Sequence, residues 1–297
     1  MVYWPEADFD VGESVVRSLV RDQFPDLGDR ALRHVADGFD NALWRLGDDL
    51  LVRLPRRHAG VALLGNEVRW LPELAPRLPI ATSVPLRVGR PNDEYPNLWV
   101  ITRWFDGETL DNATLKSPDH AARSLGRFLR ALHQRAPSDA PVNSVRSVAL
   151  AARSDAFEER LASLGGLIDA PSLRRVWDAA IAAAPWSLPP VWIHADLHPA
   201  NLIAKDGELV AVVDFGDVCA GDPATDLAGA WMLLDEESID LLLETYANRD
   251  ADLIARALGW AVLFGLFFIE IGRGDRPTYR AVGLATLRRA AASHSLR

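Results

Sequence analysis

The spacing of apolar positions changes along the chain, and that change divides it into two parts. Residues 11–24 bring Val15, Val16, Leu19 and Val20 onto one face at helical spacing, which predicts an amphipathic helix. Three short β-type segments follow at 32–36, 42–46 and 49–54. They are joined by Asp37-Gly38-Phe39-Asp40-Asn41 and by Gly47-Asp48, the pattern of an antiparallel meander. A helix over 61–71 places Leu64, Val68 and Leu71 on its buried side, and two further strands are predicted at 84–88 and 98–102. Gly107 then breaks the pattern, and helical spacing dominates onward, so a lobe boundary is expected there: 1–106 and 107–297. Ser117-Pro118 supplies an N-cap and a proline at N1 for a helix with Leu125, Phe128, Leu129 and Leu132 on its apolar face. Further helices are predicted at 154–164, 172–184, 226–234, 236–246, 250–272 and 277–293.

One hairpin interrupts this helical half. Segments 202–204 and 208–213 flank Asp206-Gly207, a pair suited to the positive φ angles of a type I′ turn. Pairing Lys205 with Glu208 and counting outward sets Asn201 opposite Val212, with Asp214 two residues beyond at the same open end. The expected class is therefore α+β, with a small antiparallel β lobe and a larger, mainly helical one.

Composition narrows the partners. A chain of 297 residues, 49% apolar and 25% charged, can bury a large core and is ordinary for a globular protein. The net charge of −9 argues against nucleic acid and admits a cationic partner. Cys219 is the single cysteine, so no internal disulfide forms, which fits a reducing, cytoplasmic setting. The opening MVYWPEADFD has no basic and apolar signal pattern. The most apolar run, 258–271, is too short to span a bilayer and contains Glu270, so it is expected to be a buried helix with no membrane partner.

The candidate chemistry lies in 192–226. His194, Asp196 and Asn201 reproduce the H-x-D-x-x-x-x-N catalytic-loop spacing of kinase-type phosphoryl transfer, and Asp214-Phe215-Gly216 follows as D-F-G. In that chemistry Asp196 orients the attacking hydroxyl, while Asn201 and Asp214 hold Mg²⁺. Arg53 sits on the third strand, where a kinase carries its phosphate-pairing lysine, and Glu67 on the following helix is its candidate partner. His194 fits bracing of the loop better than base chemistry. His198 fits a turn or a substrate contact equally.

The stretch resembles the aminoglycoside phosphotransferase and choline kinase-like enzymes. It carries H-A-D-L-H-P-A-N at 194–201, V-D-F-G at 213–216 and G-D-P-A-T-D-L-A at 221–228. The resemblance implies a protein kinase-like two-lobed fold, with Mg²⁺ and with ATP or GTP as phosphate donor. It makes Gly38 and Asn41 candidate phosphate contacts, from the family's Gly-x-x-Asn loop. It also places a base-binding hinge near 100–106, with Ile101 and Arg103 as candidate contacts. Asp226 is implied either to cap its helix or to hold the catalytic loop. An aminoglycoside is the first acceptor class, a macrolide the second and a metabolite such as choline, a sugar or an amino alcohol the third. A nucleotide-binding pseudokinase is the non-enzyme alternative, opposed by retention of Asp196, Asn201 and Asp214. Acidic residues at Asp217, Asp222 and Glu270, with Asp235, Glu236, Glu237 and Asp275, suit a cationic acceptor. Against them stands the stripe Trp260, Phe264, Phe267 and Phe268, whose exposed edge suits an apolar one.

Overall fold

The computed structural model describes residues 5–274 and 276–293; Asp275 and the first four residues of the opening segment lie outside these. Helix α1 (Glu13–Gln23) buries Val16, Leu19 and Val20 against strands β1 (Leu32–Asp37), β2 (Asn41–Leu46) and β3 (Leu50–Pro55), which form the expected meander. Helix α2 (His58–Leu74) is longer than its apolar spacing suggests. It is followed by β4 (Ala81–Thr82), β5 (Pro85–Gly89) and β6 (Trp99–Arg103). The antiparallel sheet runs β1-β2-β3-β6-β5, so β3, which carries Arg53, lies at its centre. A separate core of Leu19, Leu54, Trp99 and Tyr95 lies beneath this sheet.

After β6 the chain crosses to a second sheet through β7 (Glu108–Thr109), and then forms α3 (Pro118–Leu132), α4 (Ser154–Leu164) and α5 (Ala170–Ala182). Ser117 caps α3 by accepting a hydrogen bond from the His120 amide. Strand β8 (Val191–Ile193) leads into the motif-bearing stretch, which contains β9 (Leu202–Lys205), β10 (Glu208–Val212) and β11 (Cys219–Gly221). Five helices complete the chain: α6 (Ala224–Leu227), α7 (Gly229–Leu233), α8 (Glu236–Tyr246), α9 (Ala251–Ile271) and α10 (Pro277–Ala292). Helix α9 is the axis of the large lobe, with α4, α5, α6 and α10 packed around it. Helix α2 sends Trp70, Leu71 and Leu74 into that same core, and Trp70 meets Trp192 at a centroid distance of 4.9 Å. This packing and the chain crossing at 104–107 both join the lobes.

Several elements differ from their sequence reading. Helix α5 starts earlier because Asp169, not a later residue, caps it by accepting from the Ser172 amide. The helix expected over 226–234 is two short helices separated at Ala228. Helix α9 has 21 residues, long enough to cross a membrane by length and composition, yet most of it is buried inside the protein. The hairpin is also not isolated. It forms the middle of a four-stranded sheet, β4-β10-β9-β7, while β8 and β11 pair separately. Strands of two or three residues carry no readable period, which is why β4, β7, β8 and β11 escape sequence analysis.

Candidate active site

The catalytic-type loop is built on a buried carboxylate. Asp226 is fully buried and accepts hydrogen bonds from the backbone amides of His194 and Ala195, both at 2.7 Å. A third contact comes from His133 Nε2 at 3.0 Å. These bonds hold Ala195 at φ +67°, a left-handed conformation that a residue with a Cβ adopts only under constraint. Asp226 therefore grips the loop backbone, the second of its two expected roles. His194 is buried against Phe215, and its Nε2 lies 3.1 Å from the Val213 carbonyl. Its Nδ1 accepts from the Asp196 amide at 3.3 Å. Both ring nitrogens are thus engaged with backbone, as a bracing residue requires.

Asp196 emerges from this loop onto a cleft of about 840 Å³ between the lobes. One carboxylate oxygen accepts from Arg146 Nη2 at 3.0 Å, and the other lies 3.2 Å from His198 Nε2. Burial works to raise its pKa. The charges of His198 and Arg146, with the His198 hydrogen bond, outweigh burial and hold the carboxyl well below the usual carboxylate range.

The hairpin places the two candidate metal ligands beside it. Asp206 and Gly207 both have positive φ, at +53° and +79°, as a type I′ turn demands. Lys205 pairs with Glu208 as expected, but a bulge between Leu209 and Ala211 shifts the register by one residue. Val212 therefore faces Leu202, and Asn201 is met by Val213, whose amide donates to the Asn201 carbonyl at 2.9 Å. The bulge brings Asp214 one residue closer to Asn201 than simple counting implies. Asn201 Nδ2 donates to the Asp196 carbonyl at 2.9 Å, and among the described residues no donor meets its amide oxygen. Asp214, at φ +62° and half exposed, accepts from Arg53 Nη2 at 3.3 Å. One amide and one carboxylate oxygen suit Mg²⁺, which completes its shell with phosphate and water. Among the described residues no group of three or more His, Cys, Asp or Glu forms a metal cage.

On the opposite wall, Arg53 is 4% exposed and its Nη1 bonds Glu67 Oε1 at 2.5 Å, while Ser83 Oγ donates to the same oxygen at 3.2 Å. Burial works to lower the Arg53 pKa, but the carboxylates of Glu67 and Asp214 prevail and raise it, so its charge is secure. Gly38, Asn41 and Arg103 line the cleft, as does Asp40, which pairs with Arg57 at 3.0 Å. Ile101 does not. Its side chain is fully buried in the small-lobe core, while Thr102 and Arg103 at the end of β6 line the cleft.

Of the described acids expected to face a cationic acceptor, Asp217 alone lines the cleft, where Asp111 joins it. Asp217 lines the cleft and accepts from Asn143 Nδ2 at 2.6 Å; burial, with the nearby Asp196 charge, pushes its pKa up to about 7. Asp222 is instead bound by the buried Arg256, at 2.7 Å through Nε, and Glu270 is bound by Arg160 at 3.0 Å. Neither lines the cleft, and Asp235 caps α8 through the Ser238 amide. Facing the loop are Phe267 and Phe268 from α9 and Tyr279 from α10. Trp260 and Phe264 of the same stripe are buried. Sequence reading missed Arg146 and Asn143, which lie in a stretch with no motif; only the Asn143-to-Ser147 turn spacing marks it.

A family profile described as "Phosphotransferase enzyme family" matches residues 31–261. No curated protein matches this chain by sequence. Among solved structures, the GDP complex of wild-type aminoglycoside 2'-phosphotransferase-IIIa is similar at a TM-score of 0.71, with 20% identity, over 95% of this chain and 99% of its own. The apoenzyme of macrolide 2'-phosphotransferase MphH from Brachybacterium faecium is similar at 0.60, with 24% identity, over 93% and 98%. Macrolide 2'-phosphotransferase type I is similar at 0.62, with 20% identity, over 95% and 99%. At these identities the likeness is one of fold.

Proposed function

The chain belongs to the phosphotransferase enzyme family, and from that premise we propose that it transfers the γ-phosphate of ATP or GTP to a hydroxyl of a small molecule. The observation that carries this reading is the meeting of Asp196, Asn201, Asp214 and the Arg53–Glu67 pair on one cleft. The lobe up to residue 106 holds the nucleotide, with Gly38, Asn41 and Arg103 along its side of the cleft. The lobe 107–297 presents the acceptor. Asp196 accepts a hydrogen bond from the acceptor hydroxyl, aligns its oxygen and takes its proton late in transfer. A depressed pKa is compatible with this role, because positioning carries most of the catalysis in a loose transition state. Arg53 offers phosphate oxygens a fixed positive fork, kept in place by Glu67. Asn201 and Asp214 would hold Mg²⁺, which when bound offsets charge on the phosphates. Retention of all three polar groups speaks against a pseudokinase. Reaction with a cytoplasmic nucleotide pool is part of the same reading.

Two antibiotic classes are candidates for the acceptor. The net charge of −9 and the family resemblance support an aminoglycoside, and one fold neighbour is a GDP and kanamycin complex of an APH(2″) enzyme. A macrolide is supported by the aromatic wall of Phe267, Phe268 and Tyr279, and by the pairing of Asp222 and Glu270 with arginines away from the cleft. The test is nucleotide consumption against a panel of aminoglycosides, macrolides and small alcohols, with Asp196→Asn as control. Acceptor-dependent consumption that is lost in the variant is expected. Consumption indifferent to every hydroxyl compound and equal in Asp196→Asn would refute the proposal.

A further inference from the structure

The acceptor side of the cleft contains a cation that neither motif nor spacing announces. Arg146 is held by a knotted turn: Asn143 Oδ1 accepts from the amides of Val145 and Arg146, at 2.9 and 3.0 Å. Asn143 Nδ2 ties the turn to Asp217, and the Arg146 carbonyl accepts from Thr225 Oγ1 at 3.1 Å. The guanidinium lies 4.7 Å over the ring of Phe264 and donates through Nη2 to Asp196 at 3.0 Å. The side chain is 19% exposed and lines the cleft. Both its backbone and its head group are therefore anchored, and guanidinium keeps its proton at any physiological pH.

Resting on the phosphotransfer reading above, we infer that Arg146 determines acceptor specificity by disfavouring ammonium groups around the reacting hydroxyl. A hydroxyl that reaches Asp196 also comes within a few ångströms of this fixed charge. An ammonium beside that hydroxyl meets like charge in a cleft of reduced dielectric, where repulsion at such distances is strong. The Asp196 charge is already matched by that of Arg146, so the pair offers an ammonium no net negative charge. Asp217 is itself tied to Asn143 and carries a raised pKa, so it supplies only part of a carboxylate charge near pH 7. An ether, carbonyl or hydroxyl oxygen in the same place gains a donor, because only Nη2 of the guanidinium is hydrogen-bonded to protein among the described residues. Phe267, Phe268 and Tyr279 complete the fit for an apolar ring face. The acceptor that matches is a ring-bearing, oxygen-rich compound that is neutral beside its reacting hydroxyl.

Calorimetric binding at low salt tests this on the full chain, with kanamycin and its fully N-acetylated, uncharged form as probes. Wild-type protein, Arg146→Gln and Arg146→Lys are compared. In Arg146→Gln, kanamycin should bind at least about tenfold more tightly than to wild type, roughly 1.4 kcal/mol. The gain should shrink toward 0.5 M salt, and binding of the neutral form should not tighten. Arg146→Lys, which keeps the charge, should resemble wild type, and a mere packing role does not predict that split. Kanamycin binding that is unchanged, weaker or undetectable in Arg146→Gln would overturn the inference, as would equal gains in both variants. Magnesium–ATP binding, measured in the same samples, reports separately on the phosphotransfer reading. Its absence in wild type would refute that reading whatever kanamycin does.

Discussion

Replacing Asp226 with Asn tests the idea that a buried carboxylate sets the shape of the catalytic loop. The carboxylate receives two backbone amides at 2.7 Å and His133 at 3.0 Å, with no solvent exposure. Asparagine offers one acceptor oxygen and an NH₂ group, which cannot receive an N–H. At least one charge-assisted hydrogen bond is lost, about 1.5–3 kcal/mol, and a buried donor is left facing another donor, about 1–3 kcal/mol more. The strain of Ala195 at φ +67° is no longer held in place. A destabilisation of about 3–5 kcal/mol follows, which lowers the melting temperature by roughly 6–10 °C in a chain of this size. Magnesium–nucleotide binding should weaken less than turnover, since Arg53 and Asp214 stand on other elements, while Asn201 is tied to the loop through the Asp196 carbonyl. Turnover should fall at least about tenfold, because Asp196 follows directly after the relaxed residue. Calorimetric melting, nucleotide titration and steady-state kinetics on the same variant measure all three. A variant that melts within 2 °C of wild type, roughly 1 kcal/mol, with unchanged kcat would refute the role assigned to Asp226.

Three further outcomes are expected. Asp196→Asn should bind magnesium–nucleotide nearly normally while losing at least about a hundredfold in kcat; Asp214→Ala should instead weaken that binding, and both are read by titration and kinetics. Arg53→Ala should raise nucleotide KM, lower kcat and cost about 3–5 kcal/mol in urea unfolding, because Glu67 is left buried without its partner; Arg53→Lys should recover part of each, and unchanged nucleotide kinetics would move Arg53 out of the site. Burial pushes the Asp217 pKa up to about 7, above the ordinary carboxylate range, so the folded state binds more protons than the unfolded chain between that range and pH 7. Its contribution to stability is therefore lost as pH rises through that window. Asp217→Asn should be stabilised relative to wild type more at pH 8 than at pH 5, and equal urea midpoint shifts at both would contradict the assignment.

Much of this protein is determined by its sequence alone, where the determinants are local. The β1–β3 meander, the Asp206-Gly207 turn and the catalytic-loop spacing depend on neighbours a few residues apart, so they are legible without a fold. The Arg53–Glu67 pair was also within reach, since both residues stand at identifiable positions on successive elements. Tertiary structure decided the rest. The bulge at Val210 lies on a strand paired with both β4 and β9, and it sets how closely Asp214 approaches Asn201. The count of acids in the large lobe suggested a surface for a cation. Helix packing instead turns Arg256 onto Asp222 and Arg160 onto Glu270, and a loop without motif carries Arg146 to Asp196. Charge at a site depends on which partners come within a few ångströms, and partners 34, 110 and 50 residues apart in the chain are brought together only by the packed fold.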